Sequence, residues 1–440
     1  MPWLSLISKH LAGQSLVNIT NILVGIILLR ILSIEEFALY TLSVLLLQVA
    51  AGGSDMGLSQ ALLTLGARLR EQPQSIGCLY SSACVHAYKL YVVSAFVVIG
   101  IFLFYLFGHA WSPVNAAACL LLLLLIAAIQ LSVNLRKSVL NINHDASGLF
   151  HIGMVEAGMR FVLLPLCMIW PYAAVALFIS FTGAYASRIV ARDHSKHKMA
   201  EHQFPFEKEK QDLKRFISPL IPVVIYNSLQ GQLSVFMLGL YGYTASIAQV
   251  GALGRLGQVI SIPLMLNGFL IQPIFSRIKN KTEFVKKAML VSVSLGAFSL
   301  ISMVSVFVVP HWWLVILGHN YDNLVHELPI AVLTALSTLL GATFYTMVIS
   351  RNTTQGQSWY IAAGVLGQFA FIWIRGVHST FDALLLSFVP VLGYCFVQAV
   401  LLVAVISGWK EESRFQNSSS LPSEIHLRID TIEGRVPSIK

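Results

Sequence analysis

Apolar residues in this chain do not alternate and do not fall at simple amphipathic spacing. They come in runs of about 20, the length that crosses a bilayer as a helix. Twelve such spans are predicted. The first six are Leu11–Leu29, Phe37–Met56, Ala87–Phe107, Val114–Leu135, Phe150–Trp170 and Tyr172–Val190. The second six are Ile217–Leu240, Ile247–Phe275, Ala288–Val309, Leu328–Ile349, Trp359–Ile374 and Ala383–Val405. A transmembrane barrel needs alternating segments of about 10 residues, so the pattern points to an all-α polytopic membrane protein. Pro165, Pro219, Pro222, Pro263, Pro273 and Pro390 fall in or at the ends of spans, where kinks are tolerated.

The polar stretches divide the spans into two sets of six. Between the sixth and seventh lies a segment dense in Lys, Arg and acids that contains Pro205. The expected organisation is an N-terminal six-helix lobe over 1–195, a linker over 196–214, a C-terminal six-helix lobe over 215–408 and a disordered tail over 409–440. Two helical bundles facing one another across a cavity are a common transporter plan.

Charge sets the orientation. Of 29 Lys and Arg, 25 fall on the side that carries the N-terminus, and only Arg30 and Arg375 fall opposite. Positive residues stay cytoplasmic, so both termini are expected there, and the first span serves as its own insertion signal. The net charge of +9 is then a consequence of topology and contact with anionic lipid rather than a sign of nucleic-acid binding. Composition agrees: 56% hydrophobic and 11% charged residues exclude a soluble domain, which averages about 25% charged. The five cysteines have no metal-ligand spacing and are expected as free thiols.

No phosphate-binding GxxxxGK[ST], HExxH or DxD motif occurs, and the longest loop opposite the termini runs only from Pro310 to Glu327. The reading is therefore not an enzyme, with no cofactor and no metal. Chemistry must come from polar groups inside the spans. Glu156 and Arg160 lie four apart on one face of the fifth span. They read either as an anion site with a coupling proton or as a self-neutralising structural pair. Arg255, in the eighth span, has no acid at i±3 or i±4; it suits an anionic ligand, or snorkels to the interface. Gln14, Asn18, Asn21 and Gly25 make one stripe on the first span, with Asn227 and Gln230 on the seventh and Asn267 on the eighth. These would line a lumen and hydrogen-bond a polar cargo, or act as interhelical glue. Asp55 reads as a coupling-ion site or, more simply, as a cap for the helix after the second span.

Leu32-Ser33-Ile34-Glu35-Glu36-Phe37-Ala38-Leu39-Tyr40 begins the second span with a capping-box pattern, Ser33 to Glu36. This stretch resembles the L-G-P-E-E-F-G-x-Y signature of Wzx-type polysaccharide flippases of the MOP superfamily, with Ser33, Ile34 and Ala38 in place of Gly, Pro and Gly. Asp55-Met56-Gly57-Leu58-Ser59-Gln60-Ala61 is similar to that family's D-x-G-L-x-x-A, and Leu317-Gly318-His319-Asn320-Tyr321 to its L-L-G-x-x-Y. The resemblance implies a monomeric flippase in a bacterial inner membrane. Its implied substrate is an undecaprenyl-diphosphate-linked oligosaccharide, moved by alternating access. Membrane lipids and the polysaccharide polymerase and chain-length regulator are the implied partners. The alternatives are a MATE-like exporter of cationic drugs, which shares the fold but needs acid in its cavity, a membrane glycosyltransferase or polymerase, and a non-transporting scaffold.

Overall fold

The computed structural model describes residues 2–67, 69, 72–108, 111–143, 145–196, 198–199, 211, 213–215, 217–218, 221–264, 267, 271–278, 280–351, 356 and 358–408. The side chains of residues 2–16, Gln14 among them, most of the predicted linker 196–214 and the whole of the tail 409–440 lie outside the described residues.

Among the described residues the chain is helical throughout, without strands. The first half comprises α1 (Pro2–Ile31), α2 (Ile34–Asp55), α3 (Leu58–Ala67), α4 (Pro73–Gly108), α5 (Pro113–Ile142), α6 (Ala146–Leu163), α7 (Pro165–Ile169) and α8 (Ala173–Lys196). The second comprises α9 (Ile221–Gln230), α10 (Leu233–Leu240), α11 (Thr244–Ile260), α12 (Gln272–Arg277), α13 (Lys281–Val308), α14 (Pro310–Leu317), α15 (Leu328–Ile349), α16 (Trp359–Ile374) and α17 (Thr380–Ser407). Eight of the described helical stretches are long and apolar enough to cross a membrane, and Val17–Ile31 and Trp359–Ile374 are shorter apolar helices.

Local chemistry sets the ends. Ser33 caps α2 through the Glu36 N–H, Asn280 caps α13 through Thr282, and Ser379 caps α17 through Asp382. Pro165 divides the fifth predicted span into α6 and α7, because proline has no N–H for the ladder. Pro390, by contrast, is accommodated inside the continuous α17. The seventh predicted span is two helices that break at Gly231 and Gln232, and the eighth ends as α11 at Ile260, followed by a 3₁₀ turn through Pro263. The third begins at Pro73 rather than Ala87, because Ile76, Leu79 and Ala83 bury an amphipathic extension against α3 and α5.

Helices α1 to α8 pack mainly among themselves, with α5 and α6 both against α8 and α2 against α4 and α5. In the second half α15 and α16 pack on α17, and α13 on α15. The two groups meet where α2 crosses α9 and α11 and where α1 crosses α11. Thr41 lies so close to Gly251 that a Cβ there would stand 2.5 Å from the Thr41 hydroxyl, so α2 and α11 touch backbone to side chain. Phe37 to Ser43 are all buried, which suits a helix walled on every side.

The outward surface is apolar. Val93 and Phe96 on α4, Val293, Ile301 and Val308 on α13, Trp373 on α16 and Phe396 on α17 are all more than 60% exposed. A water-facing surface would not carry so continuous an apolar coat; lipid is the solvent that fits it. This is a multi-pass membrane protein.

At the helix ends on the N-terminal side, Asp145 caps α6 through the Gly148 N–H at 2.9 Å, pairs with Lys198 and lies 3.9 Å from His194. Burial pushes its carboxyl up, but the hydrogen bonds from Lys198 and Gly148 and the charges of Lys198 and His194 outweigh this and hold it below its ordinary value.

Candidate functional site

A cavity of about 770 Å³ lies between the two helix groups. Asn18, Asn21 and Gly25 of α1 line it with Gln48 of α2, Gln130 of α5 and Arg160 of α6. From the other side come Arg255 and Gln258 of α11, Thr334 and Thr338 of α15 and Ser387 of α17. The lining residues described include two arginines and no carboxylate.

Arg160 is held from two directions. Its Nη2 donates to Glu156 Oε1 at 2.6 Å, one helical turn away, and its Nη1 to Asn21 Oδ1 on α1 at 3.2 Å. Gly183 of α8 makes this possible, because a Cβ there would lie 2.8 Å from the Glu156 carbonyl and 3.0 Å from Arg160 Cγ. Glu156 thus neutralises part of Arg160 and orients it.

Arg255 is held differently. Its Nη1 donates to Gln258 Oε1 at 3.2 Å, and no carboxylate among the described residues pairs with it. Its guanidinium lies against Gly25 in the opposite helix group: a Cβ on Gly25 would be 3.1 Å from Cζ, Nε and Nη1 at once. Gly25 is therefore the seat of Arg255. The cavity carries one guanidinium from each group, one partly compensated and one opposed only by a neutral amide.

The remaining sequence-predicted residues separate. Asn227 and Gln230 line a second cavity of about 470 Å³, where Asn227 Oδ1 accepts from the Tyr360 hydroxyl at 3.1 Å. Asn267 is buried, at 6% exposure, and accepts from Thr343 of α15 at 3.1 Å, an interhelical contact away from both cavities. Asp55 Oδ1 accepts from the Ser59 N–H at 3.1 Å and so caps α3, while Gly57 takes the positive φ of 84° that the turn requires. Sequence reasoning missed the neutral polar lining, Gln48, Gln130, Gln258, Thr334, Thr338 and Ser387. Gln258 had a visible signal, since it stands three residues from Arg255.

Two features frame the cavity at the end away from the N-terminus. Glu36 does not complete the capping box. Its carboxylate accepts from Asn115 Nδ2 at 2.7 and 2.9 Å and from the Ala173 N–H at 2.7 Å, while Asn115 Oδ1 accepts from the Ala174 N–H at 3.2 Å. Glu36 and Asn115 thereby satisfy the otherwise orphan first N–H groups of α8. Arg30, at the end of α1, donates through Nε to the Ile316 carbonyl at 3.2 Å and through Nη2 to that of Val315, both near the C-terminus of α14. A cation there is favoured by the helix dipole, and the contact ties the two groups together.

No known protein family and no curated protein matches the chain in sequence. Solved structures do match. A lipid II flippase MurJ in an inward closed conformation superposes with a TM-score of 0.69 at 14% identity, covering 98% of this chain and 94% of that one. An inward-facing multidrug resistance MATE family transporter of the MOP superfamily gives 0.60 at 15% identity, covering 90% of this chain and 96% of its own. This chain shares its fold with these two transporters. An outward-facing MATE family transporter gives 0.50 at 15% identity, with 91% and 94% covered. The chain thus has an architecture found in both lipid flippases and drug transporters, and the fold does not choose between them.

Proposed function

We propose that this protein is a flippase for undecaprenyl-diphosphate-linked oligosaccharide, carrying it from the cytoplasmic to the periplasmic leaflet of a bacterial inner membrane by alternating access. The observation that carries the reading is the charge of the inter-group cavity: Arg160 and Arg255 line it from opposite sides, and no carboxylate is among its described lining residues. A guanidinium presents a planar fork of donors to phosphate oxygens, and a diphosphate bridging the two groups would use both. The neutral amides and hydroxyls around them suit sugar. The polyprenyl tail stays in the bilayer against the apolar outer faces. Glu156 is the candidate for proton coupling through its bond to Arg160, and Asp55 serves α3 as a cap.

The fold is equally that of MATE transporters, which makes a cationic-drug exporter the second reading. Two arginines on the cavity repel such a substrate. Mass spectrometry of polyprenyl-diphosphate lipids in cells lacking this chain separates the two. Accumulation of completed repeat units with loss of surface polymer supports the flippase; no accumulation, with new sensitivity to cationic drugs, supports the exporter.

A further inference from the structure

The second cavity differs in kind from the first. Four tyrosines, Tyr226, Tyr345, Tyr360 and Tyr394, line it together with Asn227 and Gln230, and none of its described lining residues is charged. Thr338 lines both cavities, so the two adjoin. Along α15, Tyr345 follows Thr338 by seven residues, a rise of about 10 Å, so the chamber extends from the shared Thr338 toward the C-terminal end of α15.

The tyrosines are built in. A Cβ on Gly364 of α16 would fall 1.9 Å from the Tyr226 hydroxyl, and one on Gly341 of α15 would fall 2.8 Å from the Tyr394 ring. Glycine at both places lets the rings settle against neighbouring backbone. The rings brace one another, with Tyr360 to Tyr394 at 5.4 Å between centroids and 77° and Tyr226 to Tyr360 at 6.0 Å and 59°. The Tyr360 hydroxyl donates to Asn227 Oδ1 at 3.1 Å, which leaves the amide nitrogen of Asn227 to donate elsewhere.

We propose that this tyrosine-lined chamber is the saccharide subsite of the same substrate, holding neutral pyranose units while the two arginines hold the diphosphate. Tyrosine offers an apolar face for the C–H face of a sugar ring and a hydroxyl for its oxygens. The amides of Asn227 and Gln230 offer both donors and acceptors. An isoprenoid tail would leave those amides unpaired, which is costly. An organic cation would find aromatic faces but no carboxylate, and would lie beside a positive cavity. A sugar uses both the faces and the amides.

This assignment rests on the flippase reading, and the experiment keeps the two apart. Purified protein in nanodiscs is titrated with farnesyl diphosphate and with its glucosyl, galactosyl and N-acetylglucosaminyl esters. The wild type is expected to bind at least one ester more tightly than farnesyl diphosphate. Tyr360→Phe and Asn227→Ala each lower that preference by about fivefold, the worth of one hydrogen bond; farnesyl diphosphate binding, which persists, reports that each variant is folded. Arg255→Gln weakens all four ligands together and leaves the preference intact. Equal binding of all four by the wild type, or an unchanged preference in both pocket variants, overturns the subsite and leaves the flippase reading standing. Failure of the wild type to bind any of the four removes the flippase reading and the subsite with it. Tetraphenylphosphonium binding that survives Tyr360→Phe and is lost in Tyr360→Ala would instead make the chamber a cation cage.

Discussion

Glu36 offers a quantitative test of how the first helix group is held at its outer end. Its carboxylate takes two contacts from Asn115 and one from the backbone of Ala173. Asn115 cannot turn over to suit a new partner, because its own oxygen is engaged by the Ala174 N–H. In Glu36→Gln one acceptor becomes a donor, which then faces the Asn115 amide or the Ala173 N–H. At least one partly buried donor is stranded and the charge-assisted strength of the others is lost, a cost of about 2–4 kcal/mol. Glu35, next in sequence, is exposed, so Glu35→Gln serves as a control with an effect within about 0.5 kcal/mol. Thermal unfolding in detergent, followed by tryptophan fluorescence, should show Glu36→Gln melting well below wild type and Glu35→Gln with it. Equal melting of all three proteins would refute the claim that Glu36 fastens α2 to α5 and α8.

Three further expectations follow from geometry already described. Gly25→Val places branched carbon where the Arg255 guanidinium lies, so export of surface polysaccharide should fall by at least about tenfold at unchanged protein level, whereas Gly296→Val on α13, with open space around it and away from the described lining of both cavities, should leave export intact. Arg30→Gln removes the link to the end of α14; double electron–electron resonance between spin labels at positions 35 and 320 should report a longer distance than in the wild type. Asp145 has a folded-state pKa below its unfolded value near 3.9. Its stabilising contribution is therefore present above about pH 4 and fades as pH falls through the folded value. Asp145→Asn should accordingly be less stable than wild type at pH 7, with the gap closing in denaturation curves taken at progressively lower pH in the acid range.

The spans were legible because a bilayer imposes one demand, a long apolar helix, that hydropathy reads directly. The breaks were not. Hydropathy registers side chains, so it saw Ile217–Leu240 as one run and passed over the interruption at Gly231 and Gln232, where the backbone changes direction. The extension of α4 was missed for the opposite reason: Ile76, Leu79 and Ala83 bury one face only, against α3 and α5, and the polar face lowers the local average. Within the site, Glu156 and Arg160 could be paired because four residues on a helix is a fixed distance. Arg255 and Gly25 could not, since 230 positions separate them and only the crossing of α1 and α11 brings the guanidinium onto the glycine. Glu36 shows the same limit. Its local pattern announced a cap, and its partners, Asn115 and Ala173, come from helices that sequence alone does not bring together. Asn267 stood out as a polar residue in an apolar stretch of the eighth span, yet it meets Thr343 rather than a lumen.

The central claim is that two arginines from opposite helix groups carry a lipid diphosphate across the membrane. The most direct test reconstitutes the protein into liposomes with a fluorescent short-chain polyprenyl-diphospho-saccharide and follows its arrival in the opposite leaflet by a membrane-impermeant quencher. Wild-type protein should translocate the lipid, and the Arg160→Gln/Arg255→Gln double variant should fall to the rate of empty liposomes, because each lost guanidinium–phosphate contact costs about 2–5 kcal/mol. Undiminished translocation by the double variant would contradict the account.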